Sequence, residues 1–165
     1  MNGSSPLLQL RELTGPLRLF FTAFLVVLTA GYAIGLLFVD HATSVSPAGI
    51  AEQYRGSPEN AQQAELKYAK TEDEMYIFLH NHILSLSLVF FAVGGIFYLS
   101  SVRQGLKTFL MAEPFIALVT TFGGIWLTRY VSAYFSWLTL ISGILMVGSY
   151  LAMVAVILYE LWARR

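Results

Sequence analysis

Two histidines, His80 and His82, stand at the start of a long apolar stretch, directly after three consecutive acidic residues. Imidazole changes its charge near neutral pH and ligates iron, so this pair is a candidate for binding haem or for exchanging protons with a quinone headgroup. Residues two apart on a helix point about 200° apart, because each residue turns about 100°. The two rings therefore cannot hold one metal ion together, and only one of them can face a helix bundle.

His41, the only other histidine, follows the first apolar run. A haem b held by two histidines would therefore pair His41 with His80 or His82, or share its ligands between chains. A quinone site requires less: an apolar slot with aromatic walls and one or two hydrogen-bonding groups. Arg129 and Tyr130, at the end of a later apolar run, complete such a site beside a histidine. The competing interpretation is that the histidines are interfacial polar groups satisfied by water and loop acids, and that Arg129 only anchors its helix.

Glu113 is an acid within another apolar run, and ionisable groups inside a membrane are costly and often functional. One hypothesis makes it a proton relay. The other makes it a structural group that reaches the membrane boundary or pairs with Lys107 or Arg103. No matching acid stands inside another apolar run, so Glu113 gives little support to a transporter.

Composition excludes several chemistries. The chain has no cysteine, so it cannot attach c-type haem covalently, ligate an iron–sulfur cluster through thiolates or form a disulfide. Its net charge is zero and it has no basic tract, so we expect no nucleic-acid partner. It contains no nucleotide-binding loop, metalloprotease helix or nucleophile motif. Haem iron held by His80 or His82 is the only metal centre that the sequence suggests, and whether the chain is an enzyme stays open.

The elements that must position these residues are membrane helices. Of the 165 residues, 56% are hydrophobic and only 12% are charged, and the mean hydropathy is +0.64. These values are typical of integral membrane proteins. Three uncharged runs of 21, 28 and 30 residues, and a fourth run broken only by Glu113, are each long enough to cross the hydrocarbon core as a helix. We predict an all-α fold with a single membrane domain over residues 1–165, a bundle of four transmembrane helices at about 16–39, 75–101, 108–130 and 136–161.

Residues 40–74 form the only substantial segment outside these spans. Four residues are expected to break it: Pro47, Gly49, Gly56 and Pro58. Ser57-Pro58 followed by ENAQQAELKYAK predicts a polar surface helix. Thr71 and Glu74 have the spacing of a capping box, which predicts that the second membrane helix begins there, in water.

Basic residues predict the orientation of the bundle. One side collects Arg11, Arg18, Arg103, Lys107, Arg164 and Arg165. By the positive-inside rule both termini face the cytoplasm, and the acidic loop 40–74 faces outward. This places the chain in a bacterial inner membrane with its histidines and Arg129 near the outer face.

Small residues four apart indicate where helices approach one another closely. Gly31 and Gly35 form such a pair in the first span, and Gly148 and Ala152 form one in the fourth. The second and third spans share a Gly-Gly-Ile segment, which we interpret as glycine packing between antiparallel neighbours. Such seams suit a subunit of a larger membrane assembly.

Four spans, outer-face histidines and the lack of a soluble catalytic domain resemble the four-helix b-type cytochrome and quinone-anchor subunits of bacterial respiratory complexes. The resemblance covers the topology, and its local feature is His80-Asn81-His82. It implies a subunit that helps bind quinone or one haem b near the outer face through His80, His82 or His41. Its partners would be the lipid bilayer, other membrane subunits and an outer-face electron carrier. Two other functions stay open: a non-catalytic structural scaffold, and a small-solute or proton transporter that depends on Glu113.

Overall fold

Five α-helices make up most of the computed structural model, which describes residues 9–58 and 66–162. A short 3₁₀ turn, Leu10–Glu12, precedes them, and no strand occurs in these two ranges. Four of the helices are long and apolar enough to cross a membrane, which confirms the predicted all-α, four-span fold. The helices are α1 (Gly15–Thr43), α2 (Pro47–Arg55), α3 (Glu72–Tyr98), α4 (Gln104–Tyr130) and α5 (Phe135–Trp162).

The bundle has two ends, because the four long helices alternate in direction. The loop end carries α2, the start of α3 and the connection between α4 and α5. The terminal end carries the 3₁₀ turn, the start of α1 and the end of α5. Arg164 and Arg165, which the orientation argument used, lie outside the described residues.

Helices α4 and α5 form a closely packed hairpin. A Cβ atom at Gly124 would lie 2.6 Å from Thr139 Oγ1 and 3.2 Å from the Thr139 backbone nitrogen, so only glycine fits there without a shift. About one turn away inside the same seam, the Thr121 hydroxyl donates to Ser142 Oγ at 2.8 Å. Small and hydroxyl-bearing side chains thus let the two backbones approach closely, as in many membrane helix pairs.

Helix α3 begins at the predicted capping box, which the structure confirms. The Glu74 backbone nitrogen donates to Thr71 Oγ1 at 3.3 Å, and the Thr71 backbone nitrogen donates to Glu74 Oε2 at 2.8 Å. From there α3 packs along the α4–α5 hairpin. Its buried hydrophobic side chains are Met75, Phe90, Val93 and Phe97.

Helix α1 lies at the edge of the bundle and touches α5 at a few side chains. Tyr32 stacks on Tyr150 with ring centroids 4.2 Å apart. The hydroxyls of Thr29 and Tyr150 share a hydrogen bond of 3.0 Å. Nearer the terminal end, the Trp162 indole nitrogen donates to Thr22 Oγ1 at 3.0 Å. These contacts hold α1 against one helix of the bundle rather than enclosing it.

The predicted small-residue pairs differ in what they face. A Cβ atom at Gly31 or Gly35 would meet nothing within 4 Å, and the same holds for Gly148. These positions therefore do not pack against any described part of the chain. Of the shared Gly-Gly-Ile glycines, Gly124 packs tightly, whereas a Cβ at Gly94 would only touch the Met111 side chain at 4.0 Å.

Residues 47–55 form helix α2 where the sequence predicts a broken loop. Pro47 starts this helix rather than preventing it, because the first turn needs no amide hydrogen from proline. Ser46 caps it by accepting a hydrogen bond from the Gly49 nitrogen at 3.0 Å. Gly49 is needed for close approach, since a Cβ there would overlap the Thr43 carbonyl. Gly56, with a φ of 91°, ends the helix.

The surface helix predicted after Ser57-Pro58 is wrong for residues 66–70, which are not helical, and its first part, 59–65, lies outside the described residues. The backbone of 66–70 pairs with the end of α2 instead of with itself. The Ser57 nitrogen donates to the Lys67 carbonyl at 2.9 Å, and the Lys70 nitrogen donates to the Tyr54 carbonyl at 3.1 Å. The Lys67 carbonyl and the Lys70 nitrogen are therefore not available for the hydrogen bonds of a helix over residues 66–70.

Candidate functional site

His82 lies beside the seam between α3 and α4, ten residues after Glu72, which is about 15 Å along the helix axis. Its Nδ1 is 2.9 Å from the carbonyl oxygen of Phe78. Because a carbonyl only accepts hydrogen bonds, Nδ1 carries the hydrogen and Nε2 of the neutral ring keeps its lone pair. The imidazole packs on Phe78 and Phe122 with centroid distances of 4.2 and 5.6 Å. Nε2 is thus left to accept a hydrogen bond from a fixed direction.

The aromatic lining continues from this histidine toward the loop end. Trp126 lies one turn beyond Phe122 on α4, and its ring centroid is 5.3 Å from that of Tyr76 and 4.5 Å from that of Tyr130. We call His82, Phe78, Phe122, Trp126, Tyr76 and Tyr130 the aromatic strip. It gives the α3–α4 seam a face of flat, polarisable surfaces at the depth expected for the membrane boundary.

The structure does not bring the three histidines together. His80 is exposed, lies on the other side of α3 from His82, and makes no hydrogen bond to a described residue. His41 is exposed in the last turn of α1, and no hydrogen bond or ring contact joins it to either histidine. Within residues 9–58 and 66–162, no group of three histidine, cysteine or acidic side chains is arranged to hold a metal ion.

Arg129 holds the loop end together. Its Nε donates to the Lys70 carbonyl at 2.7 Å, and its guanidinium carbon lies 5.0 Å from the centroid of the Tyr130 ring. The sequence interpretation in which Arg129 anchors its helix fits this position. Tyr130 packs on Trp126 and so belongs to the aromatic strip, whereas Arg129 bonds the end of α4 to the segment before α3.

Helix α2 and the segment after it close the loop end with two cationic caps that the sequence argument missed. Arg55 Nη1 donates to the carbonyl of Thr128 at 2.9 Å, at the end of α4, and Lys67 Nζ donates to that of Ala42 at 2.6 Å, at the end of α1. Carbonyls in the last turn of a helix lack backbone donors, so these cations satisfy them. Beneath, the Tyr54 ring lies 5.6 Å from Phe78, and burial raises the pKa of the Tyr54 hydroxyl.

Glu113 lies near the middle of the bundle, nine residues after Gln104 and about 14 Å along the axis of α4. Its Oε2 atom is buried and has no hydrogen-bond partner among the described residues. On the neighbouring helices, Tyr32 of α1 stacks on Tyr150 of α5 with ring centroids 4.2 Å apart. Sequence reasoning named Glu113 but missed both tyrosines, although each is a polar interruption of a long apolar run.

The terminal end contains a second polar cluster that sequence reasoning missed. Lys107 is 3% exposed, and its Nζ donates to the carbonyls of Tyr98 and Ser100 at 2.9 and 2.7 Å. Glu160 is also buried and accepts hydrogen bonds from the Ser101 nitrogen at 2.9 Å and the Ser101 hydroxyl at 2.5 Å. Lys107 therefore caps α3 and does not pair with Glu113.

Comparison with known proteins identifies the family of the chain. A family model described as a transmembrane helical domain, Aq_1264_TM, matches residues 44–165. The match includes α2 to α5 and begins directly after α1. No curated protein and no solved structure matches the chain. Because the matched segment covers well over half of the sequence, this multi-pass membrane protein belongs to the Aq_1264_TM family of transmembrane helical domains.

Proposed function

We propose that the chain is a subunit of a membrane electron-transfer complex and that His82 binds the headgroup of a quinol. The observation that carries the proposal is the fixed imidazole, whose Nδ1 is bonded to the Phe78 carbonyl and whose Nε2 is free of described partners. A quinol hydroxyl donates a hydrogen bond, and Nε2 of the neutral ring is a matching acceptor. A membrane-soluble ligand reaches this position from the lipid, since the side chain is exposed on the bundle surface.

The aromatic strip supports a flat headgroup beside that nitrogen. Phe78 and Phe122 flank the imidazole, and Trp126 continues the strip along α4. Ligand sites of this kind combine apolar, aromatic walls with a small number of placed polar groups. When a quinol is oxidised it releases two electrons and two protons. In this proposal Nε2 takes one proton, water at the loop end takes the other, and a redox centre of a partner subunit takes both electrons.

A haem b at the same histidine would need a second axial ligand. His80 lies on the other side of α3, and His41 has no contact with either histidine. The second ligand would have to come from another subunit, whereas a quinol needs only the groups that surround His82. We therefore favour quinol over haem as the ligand of this site.

Location and orientation are part of the proposal. We place the loop end at the outer face of a bacterial inner membrane. The sequence places six basic residues on the side of the terminal end, Arg11, Arg18, Arg103, Lys107, Arg164 and Arg165, and four on the side of the loop end, Arg55, Lys67, Lys70 and Arg129. The positive-inside rule relates such a difference to the cytoplasmic side. An electron carrier at the outer face would then have access to the loop end.

The test compares two histidines on one helix. His82→Leu and His80→Leu are purified gently with their partners, and bound quinone is extracted and quantified per chain, together with oxidised and reduced absorption spectra. We expect His82→Leu to lose the quinone and His80→Leu to retain it, because only His82 is fixed against the aromatic strip.

Two results would overturn the proposal. One is equal quinone retention in wild type and His82→Leu, provided that both are stably folded. The other is a b-type absorption band that disappears with His82, which would make the chain a haem-binding subunit instead. Absence of both quinone and haem in the wild-type complex would favour the scaffold.

The scaffold is the second candidate function, and one observation favours it. Gly31 and Gly35 point into open space on α1, so a helix of another subunit has room to approach there. In this role the chain occupies a seam of the assembly, and the histidines are interfacial polar groups.

A further inference from the structure

Arg18 carries a positive charge that no described residue neutralises. It follows Thr14, the N-cap of α1, by four residues. Its Nη2 donates to the backbone carbonyl of Arg11 at 2.9 Å, and its Nε is buried without a hydrogen-bond partner. Within residues 9–58 and 66–162 the only ion pair joins Lys70 and Glu74, at the opposite end of the bundle. The guanidinium of Arg18 therefore lacks an anion within the described chain.

The acids of the terminal end are bonded to other groups. Glu12 accepts a hydrogen bond from the Gln9 nitrogen at 3.2 Å, and the buried Glu160 accepts two from the connection between α3 and α4. Neither carboxylate forms an ion pair with Arg18 or with Arg11. An anion that approaches the terminal end thus meets two described arginines that are not paired with a carboxylate.

The chain before α1 fixes the position of this guanidinium. The Leu10 nitrogen donates to the Leu99 carbonyl at 3.1 Å, and the side chains of Leu10 and Leu13 are buried. These contacts hold the 3₁₀ turn against the bundle, so the Arg11 carbonyl that accepts from Arg18 has a fixed place. Nη1 of Arg18 makes no hydrogen bond to a described residue and is not buried. It is therefore available to a ligand without a rearrangement of the chain.

A tryptophan lies one turn deeper than Arg18, as expected at a membrane boundary. The Thr22 hydroxyl donates to the Arg18 carbonyl at 2.8 Å and accepts from the Trp162 indole nitrogen at 3.0 Å. The Trp162 ring and the side chain of Leu19 are both more than half exposed. Tryptophan concentrates where hydrocarbon meets the headgroups, and arginine extends its charged tip toward the headgroups. Positive charge and apolar surface therefore follow one another along this edge of α1 and α5.

We propose that Arg18 binds the phosphate of an anionic phospholipid, whose acyl chains lie along Trp162 and Leu19, while Arg11 adds positive charge at the same end. A guanidinium suits phosphate because it can donate two parallel hydrogen bonds to it. Basic residues next to a membrane span attract anionic lipids. A lipid fits better than free phosphate, because only a lipid uses the apolar surface below the arginine. This inference is independent of the quinol proposal, which concerns the loop end.

Competition between two lipids tests the site. The full chain is held in mixed micelles with equal amounts of phosphatidylglycerol and phosphatidylcholine, and the lipids that remain bound are counted by native mass spectrometry. We expect wild type to retain phosphatidylglycerol preferentially, and Arg18→Gln to lower the ratio of the two lipids about fivefold. Arg103→Gln is the matched control, since it removes the same charge from an exposed position at the start of α4. It should leave the ratio unchanged.

A fluorescence measurement tests the site with Arg18 intact, in case Arg18→Gln does not fold. Trp126 and Trp137, both at the loop end, are replaced by phenylalanine, which leaves Trp162 as the only tryptophan of the chain. We expect brominated phosphatidylglycerol in vesicles to quench Trp162 more strongly than equally brominated phosphatidylcholine.

Four results would overturn the proposal. Equal retention of phosphatidylglycerol by wild type and a folded Arg18→Gln would remove the arginine as its binding group. Equal losses in Arg18→Gln and Arg103→Gln would show an effect of net charge alone. Equal quenching by the two brominated lipids would place no anionic lipid beside Trp162. Displacement of the lipid by inorganic phosphate would make a free anion the ligand.

Discussion

Helix α1 and the α4–α5 hairpin are equally suited to a membrane, yet they relate differently to the rest of the chain. In α1 only Leu25 and Thr43 are buried, whereas eleven residues of α5 are buried. Glycines of α1 face open space, whereas Gly124 in the hairpin faces Thr139 so closely that a Cβ would collide. The family match also separates α1 from the other helices, because it starts at Ser44, after α1.

The difference teaches that apolar length and packing are separate properties. In lipid, the hydrophobic effect does not drive helices together, so an apolar helix needs small residues or polar contacts to find a place in the bundle. The hairpin has both, with Gly124 and the Thr121–Ser142 hydrogen bond. Helix α1 is held against α5 by polar and aromatic contacts of Tyr32, Thr29 and Thr22. Its glycines Gly31 and Gly35 pack against no described residue.

The largest loss of stability is expected from replacing Lys107, the buried lysine of α4. Lys107→Met removes the donor of the Tyr98 and Ser100 carbonyls and should lower the free energy of unfolding by about 3 kcal/mol. Denaturation in mixed micelles measures it. Arg103→Met, an exposed cation four residues earlier, is the control and should change stability by no more than about 0.5 kcal/mol. Equal effects of the two changes would contradict the capping role of Lys107.

Adjacent glycines in α4 provide the next test. Gly124→Ala places a methyl group against Thr139 and should destabilise the hairpin by about 1 to 3 kcal/mol. Gly123→Ala meets nothing within 4 Å and should be neutral or stabilising by about 0.5 to 1 kcal/mol, because alanine favours the helix. Unfolding in mixed micelles is compared for both. If Gly123→Ala were the more harmful change, the register of α4 against α5 would be wrong.

A smaller effect is expected where α1 meets α5. Tyr150→Phe keeps the ring stack on Tyr32 and removes the hydrogen bond to Thr29, which should cost about 0.6 kcal/mol. Hydrogen exchange should increase in α1 and stay unchanged in the hairpin. Tyr159→Phe, at an exposed position of α5, is the control. Faster exchange in the hairpin instead would show that α1 supports the whole bundle.

The smallest effect on the isolated chain is expected at Gly31. Gly31→Leu adds a side chain in open space and should change stability by no more than about 0.5 kcal/mol. If α1 docks onto another subunit, the same change should release the chain from its complex during native purification. Gly94→Leu is the comparison, since its Cβ would touch Met111 and should affect folding first. Unaltered assembly in Gly31→Leu would remove the glycine face as an argument for the scaffold.

The sequence predicts the parts of this structure that local physics determines. The uncharged runs predict the four helices, and Thr71 with Glu74 predicts where α3 begins. It could not predict α2, because Pro47 and Gly49 read as breakers until the contact between Gly49 and Thr43 is known. A proline at the first position of a helix and a proline in a loop look alike in one sequence.

The candidate site was predicted in part. The sequence named His80 and His82 and placed them about 200° apart, but the choice between them depends on helix rotation, which Phe78 and Phe122 reveal. The hypothesis that Glu113 pairs with Lys107 is wrong, because Lys107 bonds to carbonyls at the end of α3. Contacts between distant helices decide both cases, and periodicity in one helix contains no information about them.

The joint between α1 and α2 has a consequence for how the chain tolerates changes in length. Ser44 and Val45 both adopt positive φ, of 50° and 43°, a conformation that is unfavourable for a β-branched residue, and Gly49 holds this turn against Thr43. The turn at the end of α1 therefore sets the rotation of this helix about its own axis. One inserted residue between Tyr32 and Thr43 would rotate the rest of α1 by about 100°, carrying Tyr32 off Tyr150 and bringing a different face of the helix to the seam. The number of residues between Tyr32 and Thr43 is thus constrained to a single value, although most of the surface of α1 is exposed.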